Sequence, residues 1–152
     1  MMSNITICLL YYDEPEALSY HFEEMKLIID ENLNYIIIDD GSSKFPIETF
    51  LSKIPKEVSI YKINEDFPWN IPGARNLGAL VSKTEWFIHL DCDLIFVREA
   101  IIQLKKMHLS KNKFYSFGRN GLKAGKPTAG TLLLNKTEFW ASGGYNEYFR
   151  GS

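Results

Sequence analysis

Two aspartates stand one residue apart in "IHLDCDLIF", residues 88–96, at the end of an apolar run that predicts a buried strand. An extended backbone points alternate side chains to opposite sides, so Asp91 and Asp93 should project together while Cys92 points into the protein. Two carboxylates on one side suit a hard divalent cation that keeps open positions for substrate oxygens, Mn²⁺ or Mg²⁺. A strand-end turn with solvated acids explains the same short pattern when it is taken alone.

A second acidic pair follows another apolar run, in "IIIDDGSS". Gly41 permits a sharp turn behind Asp39 and Asp40. A carboxylate there could accept hydrogen bonds from a base N–H or a ribose hydroxyl. The alternative is an Asx-type turn that merely ends the strand.

The third stretch is "IPGARNLGAL", a loop running into a helix. Arg75 and Asn76 are expected at the helix start, where backbone N–H groups and the helix dipole favour anions. Arg75 could bind a diphosphate or a base carbonyl there, or pair with a strand-end acid, and these roles are compatible.

The elements that must position these residues alternate between strand and helix along the chain. Short apolar runs such as "NYIIID" predict strands buried on both faces. "YDEPEALSYHFEEMKLIIDEN" has helical periodicity, and Asp13 followed by Glu16 resembles a capping box. This order predicts an α/β fold with an open, mostly parallel sheet and helices on both faces. Ligands of such folds bind beyond the carboxyl ends of the strands.

Composition excludes several other classes of protein. The chain has 152 residues, is 45% hydrophobic and carries a formal net charge of -2, which favours one globular domain over residues 1–152 and no nucleic-acid partner. Cys8 and Cys92 are expected to be free buried thiols. With no apparent signal peptide and no long apolar run, we expect a cytoplasmic protein.

The basic stretch 98–126 predicts either a solvated face or a positive rim for a phosphate ligand, an acidic acceptor or a membrane surface, so peripheral membrane association stays open.

Taken in order, these stretches resemble glycosyltransferase family 2 domains of the GT-A fold. The resemblance runs from about Ile5 to Arg150 and includes "GTLLLNKTEFWASGGYNEYF", whose "GGYNEYF" is similar to the "GGFDE" element of that family. It implies transfer of a sugar from a nucleotide-diphosphate sugar to a glycan acceptor with inversion. The form of this element and the preceding "FPWN" are similar to chondroitin-type polymerases and animal galactosyltransferases, which implies a UDP-linked galactose or N-acetylhexosamine donor for polysaccharide synthesis.

The resemblance also implies roles for individual residues. Tyr11, Asp13 and Asp39 would hold the nucleotide with Asp40 beside them, and Arg75 would contact the base or diphosphate. Asp91 would lie near the ribose and the ion, and Asp93 would bind the metal that bridges the diphosphate.

The chain departs from the family pattern at its carboxyl end. The expected catalytic base is an acid in a pair downstream of the "GGFDE" element, whereas the last acid of this sequence is Glu147, within that element. We therefore expect a C-terminally short domain with Glu147 as a weak candidate base, or a non-catalytic module that binds nucleotide-sugars. A nucleotidyltransferase is disfavoured, because "LLYYDEPEAL" contains neither glycine nor a basic residue.

Other residues with functional potential have a structural explanation. His89 and His108 are expected to be structural. Trp69 and Trp140 could stack on a sugar, but core packing is the expected role of both.

Overall fold

The computed structural model of the chain describes residues 4–118 and 127–149, with the backbone alone for 127–129. The elements in chain order are β1 (Ile5–Tyr11), α1 (Pro15–Asp30), β2 (Asn34–Asp39), a 3₁₀ helix (Ile47–Lys53), β3 (Ser59–Lys62), α2 (Ile71–Val81), β4 (Trp86–Asp91), α3 (Arg98–Lys106), β5 (Tyr115–Gly118), β6 (Pro127–Asn135) and α4 (Lys136–Ala141).

Within the described residues, six strands form one mixed sheet in the order β3-β2-β1-β4-β6-β5. Strands β3, β2, β1 and β4 are mutually parallel, whereas β6 runs antiparallel to β4 and β5 antiparallel to β6. The expected α/β fold with a mostly parallel sheet is confirmed.

Side chains of β1 alternate between two apolar cores on opposite faces of the sheet. Ile5, Ile7 and Leu9 pack in one core with residues of α1 and α3, and Cys8 packs in the other with residues of α2 and α4. β1 therefore lies in the middle of a three-layer arrangement, and this explains its continuous apolar sequence.

The sheet changes direction of growth at β1. The chain first adds β2 and β3 on one side of β1 and then crosses through α2 to add β4 on the other side. The carboxyl ends of β1 and β4 therefore flank the switch point where α/β proteins bind ligands.

One local prediction, the capping box before α1, was wrong. Asp13 and Glu16 do not form a capping box, because α1 has Glu14 at its N-cap with no side-chain capping bond. Asp13 has a left-handed φ of 47°, and its carboxylate bonds to the loop after β2 instead.

Several basic side chains of 98–118 form ion pairs. Arg98 and Lys105 both bind Glu31, and Lys111 binds Glu85 at 2.7 Å. These contacts fit the solvated-face interpretation for this part of the stretch, while 119–126 lie outside the described residues. No helix in the described part of the chain is long and apolar enough to cross a membrane.

Candidate functional site

A cavity of about 650 Å³ opens at the switch point, where β1 and β4 end and α2 begins. Its walls contain side chains of both acidic pairs and of the helix. They are Leu10, Tyr11, Tyr12, Glu14, Asp40, Pro68, Trp69, Ile71, Arg75, Asp91, Cys92 and Asp93. Of the residues that the sequence analysis selected, Asp13, Asp39 and Glu147 are not part of this lining.

The pair Asp91 and Asp93 reaches the cavity through a turn. β4 ends at Asp91, and the N–H of Leu94 donates to the Asp91 carbonyl at 3.1 Å. Both aspartates line the cavity as predicted, and Cys92, although it also contributes to the lining, is only 9% exposed. The predicted reason is wrong, because the backbone turns at Cys92 and does not continue extended. Burial raises the pKa of the Cys92 thiol to about 12, so it stays protonated and is no nucleophile.

Arg75 forms an ion pair with Asp91, with 3.0 Å between Nη2 and Oδ1. Contrary to the prediction, Arg75 lies one turn inside α2, which begins at Ile71. Its guanidinium also lies 5.5 Å from the centroid of the Tyr145 ring. The buried Nε of Arg75 has no hydrogen-bond acceptor among the described residues. A cavity-lining guanidinium with an unused donor can bind an oxyanion without giving up its partner.

Gly130 of β6 makes room for this ion pair. A Cβ atom at Gly130 would lie 2.5 Å from Asp91 Oδ2 and 2.6 Å from Arg75 Nη2, and the φ of +103° disfavours any side chain. The close approach of a bare backbone therefore fixes where the two charged groups meet.

The two aspartates after β2 have different environments. Asp39 is fully buried, and its carboxylate accepts the N–H of Ser42 at 2.8 Å and of Ile47 at 3.3 Å. Asp39 thus holds the turn after β2 through its side chain, as the structural alternative to ligand binding proposed. Asp40 faces the cavity and accepts the Asn70 side-chain amide at 2.8 Å. Burial raises the pKa of Asp40 to about 6, Asn70 partly offsets this, and the charges of Asp39 and Asp66 add to the rise.

The residues at the end of β1 also differ in whether their side chains hold the loop after β2 or face the cavity. Tyr11 is fully buried and its hydroxyl donates to the carbonyl of Phe45, so only its backbone can face the cavity. Asp13 accepts the N–H groups of Lys44 at 3.0 Å and Phe45 at 2.7 Å. Both residues hold the loop after β2 against β1. The exposed neighbour Tyr12 projects its ring into the cavity wall and donates to Asp66 at 2.7 Å.

The loop before α2 carries Trp69, for which core packing was predicted, and Asn70, for which no role was predicted. Trp69 is 68% exposed with a φ of 53°, so the core-packing prediction for it is wrong. Asn70 is buried and orients Asp40, and a Cβ at Gly73 would lie only 2.4 Å from its Oδ1. The aromatic residues of "FPWN", directly before "IPGARN", were the sequence signal for these residues, because binding residues are commonly found on loops that a rigid scaffold positions. Trp140, 38% exposed, packs against Phe139 with ring centroids 5.0 Å apart.

The carboxyl-terminal segment is tied to α2 by Asn76. The Asn76 amide donates to the Tyr145 carbonyl at 2.9 Å and to Glu147 at 2.8 Å, and its oxygen accepts the Tyr145 N–H at 2.9 Å. Glu147 is therefore held beside the residue that follows Arg75, outside the cavity lining.

Histidines make no contribution to the cavity lining. His89 is fully buried and donates Nε2–H to the carbonyl of Arg75 at 3.0 Å. Burial, helped by the Arg75 charge, lowers the pKa of His89 to about 3, so the ring is neutral and structural. His108 is exposed and lies away from the cavity lining.

A divalent cation fits this site only together with a ligand. No group of three or more His, Cys, Asp or Glu side chains in the described residues is placed to hold a metal ion. Asp91 and Asp93 offer two carboxylates, and Mg²⁺ typically binds through one or two carboxylates plus phosphate oxygens and water. The donor set is therefore compatible with an ion that arrives with a diphosphate.

Comparisons with known proteins agree with this geometry. The family model described as "Glycosyl transferase family 2" matches residues 6–136. No curated protein matches the chain.

Solved structures of glycosyltransferases share the fold. The mannosyltransferase PcManGT from Pyrobaculum calidifontis, in complex with GDP-Man and Mn²⁺, superimposes with a TM-score of 0.74 at 10% identity, covering 97% of this chain and 48% of that one. TarS 1-349 of S. aureus with UDP-GlcNAc has a TM-score of 0.71 at 11% identity, covering 93% and 48%. The architecture is thus the GT-A fold, and the chain spans about half the length of these structures.

Proposed function

Because the chain belongs to glycosyl transferase family 2, we propose that it transfers a sugar from a nucleotide-diphosphate sugar to a glycan acceptor, with inversion and with Mn²⁺ or Mg²⁺. The observation that carries this proposal is the cavity at the switch point. Its lining combines the carboxyl group of Asp40 with the Arg75 guanidinium and the carboxylates of Asp91 and Asp93. A nucleoside needs a hydrogen-bond acceptor such as Asp40, and a diphosphate needs a cationic side chain such as Arg75 or carboxylates that hold a cation.

The nucleoside end binds between Asp40 and the exposed aromatics. An ionised Asp40, oriented by Asn70, accepts a hydrogen bond from a base N–H or a ribose hydroxyl. The rings of Tyr12 and Trp69, both in the cavity wall, offer stacking surfaces for the base. Asp13, Asp39 and Tyr11 act one step removed, because they shape the loop that carries Asp40.

The diphosphate end binds at Arg75 and the aspartate turn. The Arg75 guanidinium, in the cavity lining, donates to a phosphate oxygen while its Nη2 keeps the hydrogen bond to Asp91. Asp93, with Asp91, supplies carboxylate ligands to a cation that also takes diphosphate oxygens. When bound, such an ion stabilises as a Lewis acid the negative charge that develops on the leaving nucleoside diphosphate.

The sugar donor we propose is UDP-linked galactose or N-acetylhexosamine. Support comes from the motif resemblance and from the solved structures of similar fold, one of which holds UDP-GlcNAc and another GDP-Man with Mn²⁺. Inversion requires a carboxylate that takes the acceptor hydroxyl proton on the face opposite the leaving group. Glu147 is the candidate for this role on the carboxyl-terminal segment.

A non-catalytic nucleotide-sugar-binding module is the second candidate function. The observation that favours it is the position of Glu147, whose carboxylate accepts a hydrogen bond from Asn76 and is not part of the cavity lining. Such a module would bind the donor at the same residues without transferring the sugar.

Calorimetric titration separates these possibilities. Titrating UDP-galactose, UDP-N-acetylglucosamine and GDP-mannose with and without Mn²⁺ is expected to show tighter binding of a UDP-sugar when Mn²⁺ is present. Asp93→Asn should abolish the Mn²⁺ increment, while Asp30→Asn, at the exposed end of α1, should leave it unchanged. Binding of no nucleotide-sugar, or binding insensitive to Mn²⁺ and to Asp93→Asn, would refute the metal-dependent transferase site. Donor binding without transfer to oligosaccharide acceptors would select the non-catalytic module.

A further inference from the structure

A cluster of three buried polar side chains lies behind the aspartate turn, on the protein side of the cavity wall. His21 and Glu24 belong to α1 and Tyr35 to β2, and they are 0%, 4% and 2% exposed. None of them lines the cavity. Their placement in the core needs an explanation, because buried polar groups cost stability unless they are well paired.

His21 connects this cluster to the turn. Its Nε2 lies 2.8 Å from the carbonyl oxygen of Cys92, the residue between Asp91 and Asp93. A carbonyl can only accept, so Nε2 must carry the hydrogen. The hydrogen bond therefore holds the central peptide of the turn from below while the two carboxylates face the cavity.

The other ring nitrogen of His21 fixes this arrangement. Nδ1 lies 3.2 Å from the Tyr35 hydroxyl and 3.1 Å from Glu24 Oε2. If the ring is neutral, Tyr35 donates to Nδ1 and Glu24 holds the proton; if the ring is charged, Glu24 is its counter-ion. In both states Nε2–H stays on the Cys92 carbonyl, so the anchor does not depend on where the shared proton lies.

Glu24 is held at a cost to stability. Neither of its buried carboxyl oxygens has a hydrogen bond of good geometry within the described residues. Burial raises the pKa of Glu24, and the His21 ring and the Phe96 backbone offset this only in part. An apolar residue would pack here with less penalty. A positional role for the ring that Glu24 contacts accounts for the arrangement.

We propose that His21 is a positioning residue, which holds the Asp91–Asp93 turn in its ligand-binding shape through the Cys92 carbonyl, with Glu24 and Tyr35 orienting its ring. The consequence for metal binding rests on the proposed function, whereas the effect on the turn does not. Partners of this kind orient the groups that contact a metal, and their loss typically weakens metal binding roughly 10- to 100-fold.

Amide hydrogen exchange of the segment 90–97 tests the anchor directly. His21→Leu keeps an apolar side chain but lacks the donor, and should speed exchange in this segment roughly tenfold. His21→Gln retains an N–H donor near the position of Nε2 and should restore most of the protection. Met25→Ala, on the same helix and also fully buried, is the control that lowers stability without touching the turn.

The outcomes are distinct. If His21→Leu exchanges no faster than Met25→Ala in segment 90–97, or if His21→Gln fails to restore protection, the proposal is overturned. Should His21→Leu not fold, Tyr35→Phe carries the test. It keeps the ring but removes the hydroxyl that lies 3.2 Å from Nδ1 and orients it, and unchanged exchange of the segment in that variant would equally overturn the proposal.

Metal affinity gives a second readout. Mn²⁺ titrated in the presence of saturating UDP should bind His21→Leu roughly tenfold more weakly than wild type, whereas UDP binding without metal should be unaltered. If wild type binds neither UDP nor Mn²⁺, the proposed function fails, and the exchange experiment still decides the role of His21.

Discussion

Neighbouring aspartates in this chain acquire different chemistry from their surroundings. Asp39 accepts hydrogen bonds from two backbone N–H groups. The carboxyl group of the next residue, Asp40, faces the cavity and accepts one hydrogen bond from a side-chain amide. Asp91 is paired with Arg75, and both Asp91 and Asp93 line the cavity. Residue type alone therefore does not show which aspartates face the cavity, and the tertiary structure does.

The raised pKa of Asp40, about 6, makes donor binding depend on pH. Below this value the carboxyl is protonated and accepts a base or ribose hydrogen bond more weakly than the carboxylate does, so we expect UDP affinity to fall as pH decreases from 7 to 5. Asp40→Asn should bind weakly at every pH and lose this dependence. Calorimetry at several pH values measures it, and a wild-type affinity that is flat between pH 5 and 7 would contradict the prediction.

The same pKa predicts an effect on stability. The folded state binds the Asp40 proton more tightly than the unfolded state, whose value is near 3.8, so its contribution to stability falls as pH rises from about 4 to about 6. Asp40→Asn should therefore raise the free energy of unfolding by on the order of 1–3 kcal/mol at pH 8, with less gain at pH 4. Urea unfolding at both pH values tests this, and Asp30→Asn serves as the control. An equal gain at both pH values would disprove the linkage.

Gly130 offers a test of the Arg75–Asp91 ion pair that leaves both charges in place. In Gly130→Ala the new Cβ meets both charged groups and the backbone keeps an unfavourable positive φ. We expect a loss of about 1–3 kcal/mol of stability and weaker UDP binding. Gly118→Ala is the control in neighbouring β5, where no described atom lies within 4 Å, and should change stability by less than about 0.5 kcal/mol. Equal effects of the two variants would contradict the role of Gly130.

At the scale of elements, α2 links the two halves of the candidate site. Consecutive residues of this helix contact different parts: Arg75 binds the turn after β4, and Asn76 binds the segment 143–149. Gly78, further along, packs against Cys8 of β1, and a Cβ there would lie 3.3 Å from Cys8 Cβ. The helix thus connects β1 both to the Arg75–Asp91 ion pair and to the carboxyl-terminal segment.

Asn76 is expected to hold the carboxyl-terminal segment 143–149 in place. Asn76→Ala removes three hydrogen bonds to Tyr145 and Glu147, so we expect faster amide exchange in 143–149 and a loss of about 1–3 kcal/mol of stability. Glu147→Gln is the matched variant, because its amide oxygen still accepts from Asn76 while the charge is lost. If Glu147 is the base, Glu147→Gln retains the fold and donor affinity but loses sugar transfer; unchanged transfer would exclude Glu147 from that role.

At the scale of the whole molecule, the order of strands in the sheet brings the residues of the candidate site together. β1 lies between β2 and β4, so acids separated by about fifty positions in the chain meet at one edge of the sheet. Four acids line one cavity, Glu14, Asp40, Asp91 and Asp93, and they repel one another. A cation and the cationic Arg75 reduce this repulsion, whereas a bare diphosphate adds negative charge.

This electrostatic balance predicts how ligands stabilise the fold. Mn²⁺ with UDP at about 100 times its dissociation constant should add about 2.7 kcal/mol, which corresponds to a rise in Tm of roughly 5–10 °C for a chain of this size. UDP with a chelator should give a much smaller rise. Thermal unfolding followed by circular dichroism measures both, and an equal rise with and without metal would argue against a metal-bridged diphosphate.

The local sequence determined the elements and their order. The apolar runs of β1, β2 and β4 could only be strands buried on both faces, and strands alternating with helices imply a mostly parallel sheet. Acids placed directly after those runs were expected to meet at the carboxyl edge, and Asp40, Asp91 and Asp93 line one cavity there. These inferences depend on periodicity and chain direction, which are local properties.

Only the tertiary structure decided which polar groups are free to bind a ligand. Asp13 and Tyr11 are occupied by the loop after β2, Trp69 is turned outward by its left-handed backbone, and Asn70 reaches Asp40 across thirty residues. His21 lies seventy-one residues from the carbonyl it anchors. Hydrogen-bond partners this distant in sequence are set by how strands and helices pack together, and no spacing within a motif encodes them.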